Sequence, residues 1–273
     1  MPTPPAPIRS LTLGELNEDA DLVGILCDID DTLTHHGRLV PAAFAALAEA
    51  QARGLRVVPV TGRPYGWADQ IARMWPVDGV VAENGGLWCW MGDRKLELGF
   101  VQDSATRQHN RTRLDALAAT ILDAVPGCAL ASDQAFRALD LAVDFCEDVP
   151  PLPRSAIDAI VAQFDAAGAT CKVSSIHVNG WFGEFDKLAG FRRFHADRWG
   201  GEPDLSRWLY FGDSANDAPM FAAFPRSVGV ANVSDFLDRM DAWPTHITVA
   251  PGGEGFAEAM DLLFEQLFEQ LDG

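Results

Sequence analysis

The cysteines of this sequence form no framework. All five (Cys27, Cys89, Cys128, Cys146 and Cys171) are scattered, odd in number and without a CxxC pair. That argues against a disulfide scaffold or a zinc site and for reduced thiols in a cytoplasmic protein. No apolar run approaches the roughly 18 residues that a membrane span needs. The opening MPTPPAPIRS lacks a cationic stretch followed by an apolar one, so no secretory signal is expected. Its prolines read instead as a flexible or extended arm over residues 1–10. Positive charge is short as well: 21 Lys and Arg against 39 Asp and Glu give 21 − 39 = −18. Such a balance disfavours nucleic acid and anionic membranes as partners. An anionic substrate would have to be drawn by a local cation. There is no internal repeat.

What is present is ordinary globular composition, 48% hydrophobic and 22% charged over 273 residues. The stretch Val23 to Thr34 (VGILCDIDDTLT) stands out, because a short apolar run ends abruptly in Asp28, Asp30 and Asp31. Such a run predicts a buried, parallel strand. Carboxylates at its end are costly to bury unless cations or protons compensate them. Pro41 to Arg53 predicts a helix with proline at its first position and a stop at Gly54. Leu55–Val60 and Val77–Asn84 read as further parallel strands, with a helix between them ending near Met74.

The rhythm changes after Gly85-Gly86. A hairpin turning at Met91-Gly92-Asp93 is followed by a helix over Arg111–Ala124 and an alternating strand over Ala138–Phe145. A second helix and two short strands reach Phe185. This pattern predicts an α+β unit over 86–183. The α/β pattern then resumes: a helix over Asp186–Gly200, a strand over Arg207–Asp213, a short helix, a strand in SVGVAN, a helix in SDFLDRM, a strand in THITVA and a final helix. The expected fold is α/β, a Rossmann-like doubly wound parallel sheet formed by 1–85 and 184–273, interrupted by an inserted domain.

Four polar landmarks sit at the ends of these elements: Asp28 with Asp30, Thr61, Lys187, and Asp213 with Asp217. Ligands in open α/β sheets bind at the carboxyl ends of strands. Carboxylates from two neighbouring strands make a hard-oxygen site suited to Mg2+. A carboxylate can also act as nucleophile in phosphoryl transfer. Catalysis there is mostly positioning and charge neutralisation, for which a hydroxyl, an ammonium and a metal are suited. An acid two residues beyond the nucleophile points to the same side of an extended chain and can protonate a leaving alkoxide.

DIDDTLT, VTGRP, the lone Lys187 and GDSANDAPM resemble, in order and spacing, the four motifs of the haloacid dehalogenase-like phosphohydrolase superfamily. The segment between Asp31 and Pro41 is too short for a cap domain. The insert between the second and third motifs instead resembles the α+β, C2-type cap of subfamily IIB, which includes sucrose-phosphate and mannosyl-3-phosphoglycerate phosphatases, Cof-like phosphatases and phosphomannomutases. The resemblance implies that Asp28 is the nucleophile and Asp30 the general acid/base. It implies Mg2+ on the Asp28 carboxylate, the Asp30 carbonyl and Asp213. Thr61, Gly62, Arg63, Lys187 and Asn216 would bind substrate, with Asn216 and Asp217 supporting the metal and the lysine. Asp31 stands where glycine is common, and it should face away from the phosphate.

Specificity would then lie in the insert. Ser175, His177 and Asn179 alternate along one strand face and could hydrogen-bond sugar hydroxyls, or form an internally satisfied face. Trp88, Trp90 and Trp181 are stacking candidates or core aromatics. Arg137 is a further candidate. Arg63 could reach a phosphate or pair with a carboxylate, and His35 and His36 read as solvated. The expected function is a Mg2+-dependent phosphatase for a small phosphomonoester, a sugar phosphate foremost, working through an aspartyl phosphate as a monomer or homodimer. A phosphosugar mutase and a catalytically silent sugar-phosphate sensor are the alternatives.

Overall fold

A computed structural model describes residues 5–7 and 22–269. It divides into two compact units: one comprises the described residues up to Thr61, Met74–Val80 and those from His195 onward, the other Gly62–Arg73 and Val81–Phe194.

The first unit is built on a six-stranded sheet. Its strands lie in the order Ala6–Pro7, His246–Ile247, Ser227–Gly229, Trp208–Gly212, Gly24–Cys27 and Arg56–Pro59. Every neighbouring pair is parallel. The central strands Gly24–Cys27 and Trp208–Gly212 are buried along their whole length, as a sheet covered on both faces requires. Gly24 is needed for close approach, because a Cβ there would stand 2.5 Å from the Arg56 carbonyl and 2.6 Å from the Trp208 ring. The helix Pro41–Ala52 opens on its proline as expected and packs against both the Arg56–Pro59 strand and the helix Gly252–Glu269. Within the 1–10 arm, Ala6–Pro7 is an edge strand, a position where proline costs no ladder bond. The rest of that arm lies outside the described residues.

Two expectations need correction. The stretch read as a third parallel strand, Val77–Asn84, does not join the parallel sheet. Asp78 donates its amide to the Val57 carbonyl and accepts the Val57 amide on its own carboxylate, both at 2.8 Å. The side chain thus takes a ladder position that the next strand would need. The strand Val80–Ala82 belongs instead to a three-stranded sheet with the hairpin Leu87–Met91 and Leu96–Phe100. SDFLDRM forms no α-helix but two 3-10 turns, Ala231–Asp235 and Leu237–Arg239. The Trp243 indole donates to the Leu237 carbonyl at 2.8 Å and so takes an acceptor that a continuing helix would use.

The second unit carries a four-stranded antiparallel sheet in the order Thr170–Val173, His177–Trp181, Leu141–Asp144 and Ala129–Leu130. Its helices are Ser104–Ala124 and Arg154–Ala166. The first starts a full two turns before the expected Arg111, at an Asp103 cap whose carboxylate accepts the Thr106 amide. Leu114, Ile121, Val143, Ile160, Phe164 and Val178 form the fully buried core between helices and sheet. The unit also takes in Gly62–Arg73 and Val81–Gly85, where Arg63 and Glu83 are bonded into it, and it extends to Phe194.

Gly180 lies under the Phe164 ring, where a Cβ would come within 2.1 Å of a ring carbon. Gly180→Ala is expected to destabilise by about 1–3 kcal/mol through overpacking, read as a lower urea midpoint at unchanged slope. An unchanged midpoint would mean that the ring yields freely.

Candidate active site

Parallel pairing sets the site. Trp208–Gly212 runs beside Gly24–Cys27 with Phe211 opposite Cys27, and the Asp28 amide continues the ladder to the Phe211 carbonyl at 2.9 Å. Asp28 and Asp213 therefore leave the carboxyl ends of adjacent central strands. With Asp217 they form a buried cluster whose carboxylate oxygens lie within 4.8 Å of one another. Carboxylates this close raise one another's cost of ionisation unless a cation compensates them. An all-oxygen, acidic donor set of this size fits Mg2+.

Asp217 is held by its own loop. Its Oδ2 accepts the amides of Asp213 (3.0 Å) and Ser214 (3.3 Å), and its Oδ1 accepts the Tyr210 hydroxyl at 2.6 Å. Burial, followed by the charge of Asp217, holds the Tyr210 phenol well above its usual range, so it stays a donor. Gly212 makes this loop possible, since a Cβ there would meet Asp217 Oδ2 at 2.5 Å. Asn216 is half-buried, its Oδ1 accepting the Ser214 hydroxyl at 2.8 Å within the same turn.

Three residues at the cluster went unnoticed in the sequence. Thr32 donates to Asp213 Oδ1 at 3.4 Å, and Tyr210 supports Asp217. Asn232 Nδ2 donates to Asp213 Oδ2 at 3.3 Å and to the Asp31 carbonyl at 3.1 Å, while its Oδ1 accepts the Gly252 amide. Asn232 thereby ties three loops to the carboxylate. The only signal for it was an asparagine closing the SVGVAN strand. Asp30 is half-buried in the turn after Asp28, and Thr61 is fully buried beyond the strand Arg56–Pro59. Asp31 occupies the left-handed region, with φ of 53°. That is why glycine suits this position, and why aspartate, which tolerates αL, is an acceptable replacement.

Gly62, Arg63, Lys187, His177 and Asn179 belong to the second unit. Lys187 is buried at the first residue of the helix Lys187–Trp199, where its charge opposes the helix dipole. Arg63 is engaged by carboxylates: Nη2 donates to Glu147 at 2.7 Å and Nη1 approaches Asp133 at 3.5 Å, with the guanidinium over the Trp67 ring. Asn179 donates to Asp140 at 2.9 Å, and His177 Nε2 lies 2.9 Å from Glu147. The face of His177 and Asn179 is thus an internally bonded one. The close His177 ring and the Arg63 guanidinium, against burial, hold the Glu147 carboxyl down at about 2. Arg137, its side chain wholly buried, is fixed by Asp133 and Asp140 and donates to the Gly62 carbonyl at 2.9 Å. Trp88 and Trp181 are core residues, Trp181 stacking on Phe185. Trp90 meets Phe194 edge-on, and Ser175 is half-buried. His36 is exposed, its ring tilted by 33° against that of His35, which meets Glu254 at 3.2 Å.

Comparison with known proteins bears out the resemblance. A family model described as haloacid dehalogenase-like hydrolase matches residues 25–97. A phosphoglycolate phosphatase of Haloarcula marismortui is 28% identical over 254 residues, 89% of this chain and 97% of that protein. The fold is shared with the sucrose-phosphatase of Synechocystis, solved with sucrose and phosphate (18% identity, TM-score 0.62, covering 88% of this chain and 97% of that one). It is also shared with a sugar phosphatase of haloacid dehalogenase subclass IIB (17% identity, TM-score 0.61, 88% and 98%).

Two variants probe this network. The Glu147 carboxyl lies below its ordinary value of 4.5 in the folded protein, so its stabilisation is present above pH 4.5 and is lost as pH falls toward 2. Glu147→Gln should melt roughly 2–4 °C lower at neutral pH, and its deficit should shrink across that acid window. A deficit independent of pH would contradict the ionic origin. Asp31→Gly should melt at or slightly above the parent, because glycine adopts the positive φ without strain. A lower melting temperature would show that the aspartate side chain outweighs the backbone cost.

Proposed function

We propose that this haloacid dehalogenase-like hydrolase is a Mg2+-dependent phosphatase that cleaves a small phosphomonoester, a phosphorylated sugar or sugar acid foremost, through an aspartyl phosphate. The observation that carries the reading is the buried Asp28, Asp213 and Asp217 cluster at the ends of adjacent parallel strands. In this reading Asp28 attacks phosphorus in line with the leaving oxygen, forming the acyl phosphate. Asp30 gives its proton to the departing alkoxide. The resulting Asp30 carboxylate takes a proton from the water that hydrolyses the acyl phosphate. The Thr61 hydroxyl, the Gly62 amide and the Lys187 ammonium neutralise the phosphoryl oxygens. Arg63 serves as the anchor of the second unit, bound to the carboxylates of Asp133 and Glu147. Asp28, the Asp30 carbonyl and Asp213 would hold Mg2+, with Asp217 and Asn232 fixing the loops around it. Bound there, the ion supplies charge neutralisation at a phosphoryl oxygen.

The relatives set the substrate range to test. One is named a phosphoglycolate phosphatase, and the fold is shared with two sugar phosphatases. We place this chain's substrate among small phosphorylated sugars, sugar acids and hydroxy acids. A cytoplasmic setting is supported by five free cysteines, and no helix among the described residues is long and apolar enough to cross a membrane.

The test is phosphate release from a panel of sugar phosphates, sugar-acid phosphates, phosphoglycolate and nucleotides, with and without Mg2+. One substrate should exceed the others, with turnover lost on chelation and restored by Mg2+. Asp28→Asn should lose several orders of magnitude in kcat while melting normally. Full activity in that variant sinks the mechanism. Phosphate transfer within the sugar that depends on a bisphosphate activator would indicate a mutase, and binding without any turnover would indicate a sensor.

A further inference from the structure

The stretch Val81–Gly85 contains a turn that neither the four motifs nor the ion network explains. Glu83 and Asn84 both adopt positive φ, 46° and 54°, in the 3-10 turn that follows the strand Val80–Ala82. Two successive non-glycine residues in this region need strong restraint, and such strain concentrates at functional positions. The restraint comes from Glu83. Its buried carboxylate accepts the amides of Tyr65 (3.0 Å), Ala138 (2.7 Å), Leu139 (2.6 Å) and Asp140 (3.1 Å). Gly85 follows with φ of 96°, against the Asp186 carbonyl, where a Cβ would have no room.

This scaffold presents the Asn84 side chain to Gly62. The amide fills the space on the side-chain side of Gly62, with Oδ1 and Nδ2 lying 3.3 and 3.4 Å from where a Cβ would stand. Asn84 is only 4% exposed, and its Nδ2 is buried with no hydrogen-bond partner among the described residues. Buried side-chain donors are nearly always paired, so an orphan calls for an acceptor that arrives with a ligand or a water. The Gly62 carbonyl accepts a hydrogen bond from the buried Arg137 guanidinium at 2.9 Å. Gly62 directly follows Thr61 in the chain. A neutral N–H donor fixed beside that turn suits a phosphate-ester oxygen, an acceptor with no proton of its own.

We propose that Asn84 is a substrate-binding residue whose Nδ2 donates to an oxygen of the bound phosphomonoester beside the Gly62 peptide. The inference rests on the reading of Thr61–Gly62 as a phosphoryl-binding turn. It explains why the chain holds a strained, buried amide at this position.

Asn84→Gly tests it cleanly, because glycine accepts the positive φ and removes only the amide. Inorganic phosphate affinity is measured by calorimetry with Mg2+ present, alongside kcat and KM on the best panel substrate and the melting temperature. Asn84→Gly should melt at or above the parent, bind phosphate tenfold or more weakly and raise KM. Asn84→Asp, which keeps the shape and removes the donor, should weaken phosphate at least as much. Phosphate affinity within twofold of the parent overturns the proposal, and a lower melting temperature with unchanged affinity assigns Asn84 a structural role. A parent that turns over nothing, yet loses phosphate affinity in Asn84→Gly, sinks the hydrolytic reading and leaves Asn84 standing. A parent that binds no phosphate overturns both.

Discussion

Three buried carboxylates with oxygens inside 4.8 Å are the constraint around which the first unit is arranged. Left to themselves, Asp28, Asp213 and Asp217 would repel, and burial would compound the cost. The fold meets that cost with neutral donors placed around the cluster. Tyr210 and the amides of Asp213 and Ser214 satisfy Asp217, while Thr32 and Asn232 approach Asp213. These donors orient the carboxylates without neutralising them. The cluster is thereby held in a fixed geometry, the condition under which a hard divalent cation binds and a carboxylate is held ready to attack phosphorus.

The second unit solves a similar problem by pairing. Arg63 and Arg137 are sunk among Asp133, Asp140 and Glu147, and Glu83 collects four backbone amides. Buried ion pairs of this kind add little net stability over well-packed apolar groups, yet breaking one by removing a partner is costly. Their consequence here is register. Arg137 reaches the Gly62 carbonyl and Glu83 reaches the Tyr65 amide, so a segment adjoining the second motif is locked to the loop Asp133–Asp140. The strained Glu83–Asn84 turn persists because this array over-determines it.

Much of this was legible from residue order. The apolar runs before Asp28 and Asp213, proline at the start of the helix from Pro41, and alternation in the insert all led to the observed element types. The two failures have local physical causes. Asp78 intercepts the Val57 amide, and the Trp243 indole takes the Leu237 carbonyl, so side chains replaced the backbone partners that a strand and a helix would have used. Periodicity carries no trace of either. The same holds for Asn232 and Tyr210, whose roles depend on partners that lie far away along the chain or across a turn. His177 and Asn179 alternate on one strand face as expected, but their partners Glu147 and Asp140 arrive from the loops that follow and precede the neighbouring strand Leu141–Asp144.

By itself, then, the sequence determined the chemistry available: carboxylates at two strand ends, a threonine, a lysine, and their order along the chain. Those follow from composition and from short-range pattern, which the backbone obeys locally. Tertiary structure alone decided that Trp208–Gly212 pairs with Gly24–Cys27, and hence that Asp28 and Asp213 are neighbours. It also decided that Arg63 and Arg137 spend their charge on carboxylates, and that Asn84 Nδ2 sits beside Gly62 with no hydrogen-bond partner among the described residues. Contacts between residues distant along the chain depend on which surfaces meet, and burial sets their energy only after they have met.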